Sequence, residues 1–212
     1  TLPHLEAENA WTEATTVAQE PLRQAIFDEI KARTQETDLS VPVRDGAWWY
    51  LTRTEEGKPY PIHCRRPDDG TTTTWLADPT AEQVVLDPNE LAGEGEYLGL
   101  GVLDVSPDGN WLAYAIDRAG DERHALRFRD LRTGEEADET VDDVSYGFAW
   151  AADSATCWYT LDDEAHRPDR VLRHEVGTDP VADIEVFRDD DGDIRLAEEQ
   201  ETPRHLLIGR GG

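Results

Sequence analysis

The chain has 212 residues, 38% of them apolar, with seven Trp, six Tyr and four Phe. That aromatic content excludes a disordered acidic tail, and the length is enough for one large domain or two small ones. Twenty basic residues against 47 acidic give a net charge of −27, which excludes a nucleic-acid backbone as the natural partner and disfavours an anionic membrane.

Lys31 and Lys58 are the only lysines against eighteen arginines, and Met is absent. Two explanations stay open together. A high-GC genome favours Asp, Glu, Arg, Ala and Gly codons, whereas life at high salt screens repulsion among surface carboxylates. No apolar run approaches the ~18 residues that span a bilayer. The start, Thr1-Leu2-Pro3-His4, lacks a basic stretch leading into an apolar one, so no secretory signal is read there; it also lacks the Met of a gene start. Cys64 and Cys157 sit in strand-like contexts without a CxxC. They are expected as buried free thiols in a reducing cytoplasm, with neither zinc nor a disulfide framework implied.

Residues 1–40 are predicted to form a helical arm. Ala, Glu, Gln, Leu and Arg dominate, and Leu22, Ile26, Phe27 and Ile30 recur at helical spacing. Pro21 suits the first turn of a second helix, and Thr37-Asp38 marks the stop. Residues 41–212 change to strand and turn. Trp48-Trp49-Tyr50-Leu51-Thr52 and Pro61-Ile62-His63-Cys64 flank the turn signal Glu55-Glu56-Gly57-Lys58, which predicts a hairpin. Residues 81–91 are ambiguous between helix and strand.

An internal repeat organises the β region. Val105-Ser106-Pro107-Asp108-Gly109 opens one unit, and Trp150-Ala151-Ala152-Asp153-Ser154 opens another 45 residues later. Without a gap, that offset aligns Asp108 with Asp153, Tyr114 with Tyr159, Asp117 with Asp162, Leu126 with Val171 and Thr133 with Thr178. A weaker copy begins at Asp45-Gly46, and a last one near Thr202-Pro203 with Leu206-Leu207-Ile208. A period of about 40–50 residues with several strands per unit is the signature of a β-propeller blade. The expected fold is mainly β: about three to four blades of a propeller behind a helical arm. The chain stops inside a strand without a closing element, so it reads as a piece of a larger protein.

Chemistry is hard to find. Ser40, Ser106, Ser145 and Ser154 are the only serines and none stands in a GxSxG frame. His4, His63, His124, His166, His174 and His205 show no HxH or HxxxH spacing and are read as structural. Residues 189–193 begin like a calcium loop, with Asp189, Asp191 and Asp193 as ligands. The loop's Gly position is Ile194 and its closing Glu position is Gln200, so a solvated turn is expected instead. Nucleotide-binding motifs are missing. No catalytic, cofactor-binding or metal residue is assigned.

The motifs in order resemble a known family. Leu5-Glu6-Ala7-Glu8-Asn9-Ala10-Trp11-Thr12-Glu13-Ala14 is similar to the segment that leads into the first long helix of oligopeptidase B, a serine peptidase of the prolyl oligopeptidase family. Thr37-Asp38-Leu39-Ser40-Val41-Pro42 resembles that family's approach to its propeller. The stretch Thr52-Arg53-Thr54-Glu55-Glu56-Gly57-Lys58-Pro59-Tyr60-Pro61-Ile62-His63-Cys64-Arg65-Arg66 resembles its first hairpin and is the most specific match. Ser106-Pro107-Asp108-Gly109, Asp130-Leu131-Arg132-Thr133-Gly134, Trp150-Ala151-Ala152-Asp153-Ser154 and Arg167-Pro168-Asp169-Arg170-Val171 come in the family's order. The resemblance covers positions 5–187, and residues 189–193 depart from it.

The resemblance implies a seven-bladed propeller that caps a C-terminal α/β-hydrolase domain absent from this chain. That domain would hold the Ser, Asp and His and cleave short basic peptides after Arg or Lys, while the propeller excludes folded proteins by size. No residue of that machinery can be carried onto this sequence. The alternatives are a non-enzymatic propeller-like binding module and a truncated, inactive relic.

One outcome separates the two explanations of the charge. If the acidity is an adaptation to salt, the melting temperature rises between low and molar salt, because screening relieves carboxylate repulsion. A flat profile leaves codon composition as the explanation.

Overall fold

The structure is a computed structural model that describes residues 1–70, 81–93, 95–189, 194–199 and 205–210. Two helices, α1 (Leu2–Thr16) and α2 (Glu20–Arg33), form the arm, joined by a single 3-10 turn. Pro21 lies in the first turn of α2, where its missing N–H costs no hydrogen bond. Neither helix buries a residue. Leu22, Ile26, Phe27 and Ile30 do line up as the spacing predicts, but the stripe faces outward and none is less than 50% exposed.

Beyond the arm the chain turns to strands. The first sheet has five: β1 (Asp38–Leu39) and β2 (Val43–Asp45) pair with the two halves of β3 (Trp48–Thr54), which continues to β4 (Ile62–Pro67) and β5 (Gln83–Leu86). Pro42 has no N–H to donate, and the innermost strand breaks there. The expected hairpin turn closes through the Lys58 N–H donating to the Glu55 carbonyl at 3.0 Å, with Gly57 at φ +84°. The ambiguous stretch at 81–91 resolves into β5 and one helical turn, α3 (Pro88–Leu91), whose N-cap Asp87 accepts from the Asn89 N–H.

A seven-stranded antiparallel meander comes next: β6 (Gly99–Val105), β7 (Trp111–Asp117), β8 (His124–Asp130), β9 (Val141–Trp150), β10 (Thr156–Asp162), β11 (Pro168–Glu175) and β12 (Ile184–Arg188). Strand β9 belongs to two blades. Its first half pairs with β8, Val141 opposite Leu126 and Val144 opposite His124. Its second half pairs with β10, Phe148 opposite Tyr159 and Trp150 opposite Cys157. The last pair is β13 (Ile194–Glu199) with β14 (His205–Arg210); the predicted start at Thr202-Pro203 lies outside the described residues. The protein is therefore mainly β, a partial propeller with an N-terminal helical arm.

The 45-residue repeat is a structural repeat. The Ser106 N–H donates to the Trp111 carbonyl, and the Ala151 N–H to the Thr156 carbonyl, both at 2.8 Å. Gly109 at φ +75° and Ser154 at φ +59° take the same left-handed turn position. The two turns also touch, the Asp108 N–H donating to Ser154 Oγ at 3.0 Å. Strand β7 shows why blades need neighbours. Leu112, Tyr114 and Ile116 pack toward the first blade, while Ala113 and Ala115 pack toward the third. Period-2 alternation puts apolar side chains on both faces of a single strand.

One repeat equivalence fails at the level of roles. Asp117 is buried and accepts N–H bonds from Ala119 (2.7 Å), Gly120 (2.8 Å) and Glu122 (3.0 Å), closing the β7–β8 turn. The aligned Asp162 does not do this in the next blade. Asp163 does, accepting from Ala165 at 2.7 Å and Arg167 at 3.0 Å. The reason is a register shift between Leu161 and Asp162, which moves the turn by one residue.

This packing sets two expected outcomes. Gly147 sits on β9 where an added Cβ would lie 2.5 Å from Oγ1 and 2.6 Å from Cγ2 of the buried Thr160. Gly147→Ala should cost about 1–3 kcal/mol of stability by overpacking, and adding Thr160→Ala should recover part of it. No recovery would mean that steric conflict is not the cause. Burial alone would raise the Asp117 pKa, but the N–H bonds from Gly120, Glu122 and Ala119 outweigh it and hold it below the ordinary carboxylate value. Its stabilisation is thus complete above the unfolded-state pKa of about 3.9 and is lost as pH falls through the lower folded value. Asp117→Asn should lower the melting temperature at pH 7, and its deficit against the parent should shrink below pH ~4. A deficit independent of pH would count against this role for the carboxylate.

Candidate functional site

The serines serve the turns and strands. Ser40 Oγ accepts from the Thr52 N–H at 2.8 Å. Ser106 Oγ donates to Asp108 at 2.6 Å and accepts from the Trp111 N–H at 2.9 Å. Ser106, Ser145 and Ser154 are buried. Among the described residues no serine is hydrogen-bonded to a histidine.

The histidines are distributed through the fold. His4 is exposed on α1, and His166 occupies a left-handed turn position at φ +58°. His63 on β4 is held below the ordinary imidazole range by burial. His124 has Nδ1 3.1 Å from the Val144 carbonyl, and its ring covers Gly101, where a Cβ would come within 2.5 Å of it. The side chain of His205 is outside the described set. In the calcium-like run, Asp189 is buried and its N–H donates to the Asp169 carbonyl at 2.9 Å, whereas Asp190, Asp191, Gly192 and Asp193 lie outside the described residues. Among the described residues no group of three His, Cys, Asp or Glu side chains is placed to hold a metal ion.

Polar groups concentrate at the seams between blades. At the first seam the buried Arg65 donates from Nη1 to the Gly109 carbonyl at 2.5 Å and from Nε to Gln83 at 2.8 Å. Its guanidinium carbon also lies 3.8 Å above the centre of the Trp48 ring. Gln83 in turn donates to the Leu131 carbonyl, and Arg129 donates to the Val85 carbonyl at 3.3 Å. Planar guanidinium suits this position, because one group stacks on an indole while forking to two acceptors.

His174 anchors the second seam. It is fully buried, stacks on Phe128 of the neighbouring blade at 5.3 Å, and has Nδ1 2.8 Å from Asp183. The second oxygen of Asp183 accepts from the Tyr159 hydroxyl at 2.8 Å. Burial, reinforced by Asp183, pushes the Tyr159 phenol up, so it stays a hydrogen-bond donor. Glu139, from the segment leading into β9, lies 3.9 Å from His174 Nε2 and accepts from the Gly177 N–H at 2.6 Å.

The thiols are chemically quiet. Burial, with Glu82 adding to it, pushes Cys64 up to about 11, and burial raises Cys157 well above an ordinary thiol. Both are free, and neither supplies a thiolate at neutral pH. Between the first two blades a cleft of about 360 Å³ remains open, lined by residues of β2, β3, β4, β5 and β6 and by Ser40 and Val41 of the segment between β1 and β2. The seam residues and the cleft have no signal in sequence spacing, because the hydrogen-bond partners at the seams lie 9 to 48 positions away. Among the described residues the arrangement is a scaffold with open surface clefts and no paired nucleophile and base.

Comparison with known proteins gives this scaffold its lineage. The family model for the N-terminal β-propeller domain of prolyl oligopeptidase matches residues 1–209. Dipeptidyl aminopeptidase BI of Pseudoxanthomonas mexicana is 37% identical over 198 residues, 90% of this chain and 27% of that protein. Protease 2 of Moraxella lacunata is 32% identical over 197 residues, 92% of this chain and 28% of that protein. Among solved structures, oligopeptidase B from Leishmania major superposes with a TM-score of 0.87 at 25% identity, covering 99% of this chain and 29% of that one. The chain thus spans less than a third of the length of these relatives, and it belongs to the prolyl oligopeptidase family, matching its N-terminal β-propeller domain.

Proposed function

We propose that this chain supplies the helical arm (1–40) and an incomplete propeller (41–212) of a serine oligopeptidase that hydrolyses short peptides after Arg or Lys. In this reading a C-terminal α/β-hydrolase domain carries the Ser, Asp and His. The remaining blades complete a ring of seven, and the ring filters substrates by size. The single observation that supports it most is that arm and blades superpose together on oligopeptidase B of L. major, at a TM-score of 0.87 over 99% of the chain.

The arm adds a second line of support. Trp11, Leu22, Ile26, Phe27 and Ile30 present an exposed apolar stripe of a kind that soluble proteins cover with a partner. In the proposed enzyme that partner is the catalytic domain of the same protein. No helix here is long and apolar enough to cross a membrane. Two buried thiols without a disulfide fit a reducing compartment, and the cytoplasm is the proposed location. Nucleic acid and membrane surfaces are not proposed as partners, given the net charge of −27.

A second reading has its own observation: a relative 37% identical is a dipeptidyl aminopeptidase, which favours release of dipeptides from a free N-terminus. Internally quenched peptides with a single Arg or Lys, offered N-acetylated or free to the full-length protein, decide between the two. Cleavage after the basic residue of the acetylated peptide is expected. Cleavage only two residues from a free N-terminus would replace it with the second reading, and hydrolysis of neither peptide would leave the binding-module alternative. Docking of the arm has a separate test. Phe27→Asp should destabilise the full-length protein by about 1–3 kcal/mol and leave the isolated 212-residue chain unchanged, whereas equal effects in both would remove the catalytic domain as the arm's partner.

A further inference from the structure

His174 uses only one of its two ring nitrogens. The side chain is fully buried, and Nδ1 lies 2.8 Å from Asp183. A carboxylate accepts, so the neutral ring keeps its proton on Nδ1 and presents a lone pair at Nε2. Asp183 is held in turn by the Tyr159 hydroxyl at 2.8 Å, and the ring is fixed by its stack on Phe128 at 5.3 Å. A hydrogen-bonded carboxylate behind one ring nitrogen is the arrangement that orients a histidine to bind metal through the other. Nε2 is buried and makes no hydrogen bond among the described residues.

A carboxylate stands in front of that nitrogen. Glu139 Oε1 lies 3.9 Å from Nε2, too far for a hydrogen bond. Bonds of ~2.0–2.1 Å to a histidine nitrogen and ~2.0–2.2 Å to a carboxylate oxygen put the two donors of a tetrahedral zinc ion roughly 3.4 Å apart. Glu139 therefore has about half an ångström to move, and it lies outside the strands, on the segment before β9. With Asp138, Thr178 and Asp179 it lines an opening to solvent of about 380 Å³, which gives an ion a way in and water access to its remaining positions. Cys157 is directly opposite His174 in the β10–β11 ladder and shares its face. Glu139 and Asp183 lie within electrostatic reach of its thiol. Imidazole and sulfur surroundings suit zinc, whereas calcium and magnesium prefer sets of oxygen donors alone.

We propose that His174 Nε2 and Glu139 bind a divalent transition-metal ion, with zinc the best match, at the seam between the second and third blades. The described residues offer no set of three ligands, so two protein donors hold the ion and water completes its shell. Glu139 belongs to the segment that leaves the second blade and His174 to a strand of the third, so the ion ties the two blades together. Binding stabilises the native protein, since an unfolded chain does not hold the two donors side by side. A proton competes for the same lone pair, so affinity falls on acidification. No HxH or HxxxH spacing marks the site, because its donors come from different blades. The proposal needs nothing of the peptidase reading and stands whichever reaction the full-length protein catalyses.

The test uses the full-length protein that carries this chain, freed of metal with a chelator. Zinc chloride is titrated in competition with a fluorescent zinc indicator, and calcium chloride is the control. The parent should take up a zinc ion that Glu139→Gln binds about tenfold or more weakly, and zinc should raise the melting temperature of the parent more than that of the variant. Calcium should do neither. Glu139→Gln keeps an amide oxygen for the Gly177 N–H, so the variant is expected to fold. Diffraction at the zinc absorption edge from crystals of the full-length protein should place an anomalous peak ~2.0–2.2 Å from both His174 Nε2 and a Glu139 oxygen. Identical zinc titrations of parent and variant, a peak that touches only surface carboxylates, or displacement of the ion by an equal concentration of calcium would each overturn the proposal. So would the absence of any zinc uptake, which would leave His174 as a core residue that orients Asp183 and Tyr159.

Discussion

The structure depends on a constraint that no single blade can satisfy: its sheet is apolar on both faces. Along β7, Leu112, Tyr114 and Ile116 are buried toward one neighbour and Ala113 and Ala115 toward the other. Burying a side chain of the size of Leu, Ile or Phe contributes roughly 1.5–3 kcal/mol, and half of that apolar surface would return to water without the adjoining blade. Residue size is adapted to the two gaps. Large side chains fill the space against the first blade. Small ones let Phe128, Trp150 and Tyr159 fill the space against the third.

Apolar burial brings the blades together without specifying their register, because it has no direction. Buried polar groups supply the direction. Arg65 reaches from the first hairpin to the turn carbonyl of Gly109, and His174 stands between Phe128 and Asp183. Removing one partner of such a pair leaves a buried charge or polar group unsatisfied, a cost large enough to make any other alignment unfavourable. The shared strand β9 adds a covalent constraint, since its two halves belong to successive blades and fix their spacing. Where these constraints are absent, at the break around Pro42, the seam opens into a cleft.

The arm obeys the opposite logic. Its helices have the composition and the Pro21 start that local propensity requires, yet they bury nothing among the described residues. Short helices gain most of their stability in water from packing of an apolar face. The arm's stripe is left exposed in a chain that spans less than a third of the length of its relatives, and in the proposed enzyme the catalytic domain covers it.

Much of the fold was legible from sequence because it rests on local rules: helical spacing in the arm, turn chemistry at Gly57 and Gly109, and a 45-residue period that survives without a gap from Asp108 to Thr178. The order of motifs was enough to identify the family. What the sequence could not reveal depended on through-space pairing. The sharing of β9 by two blades, the one-residue slip that hands the turn role from Asp162 to Asp163, the Arg65 and His174 anchors and the cleft lined by β2 and β6 all join residues whose separation in sequence carries no signal. Local propensity and period arise from each residue and its near neighbours. Seams and clefts arise only when two sheets with apolar faces meet, and the tertiary structure alone decides which side chains then face each other.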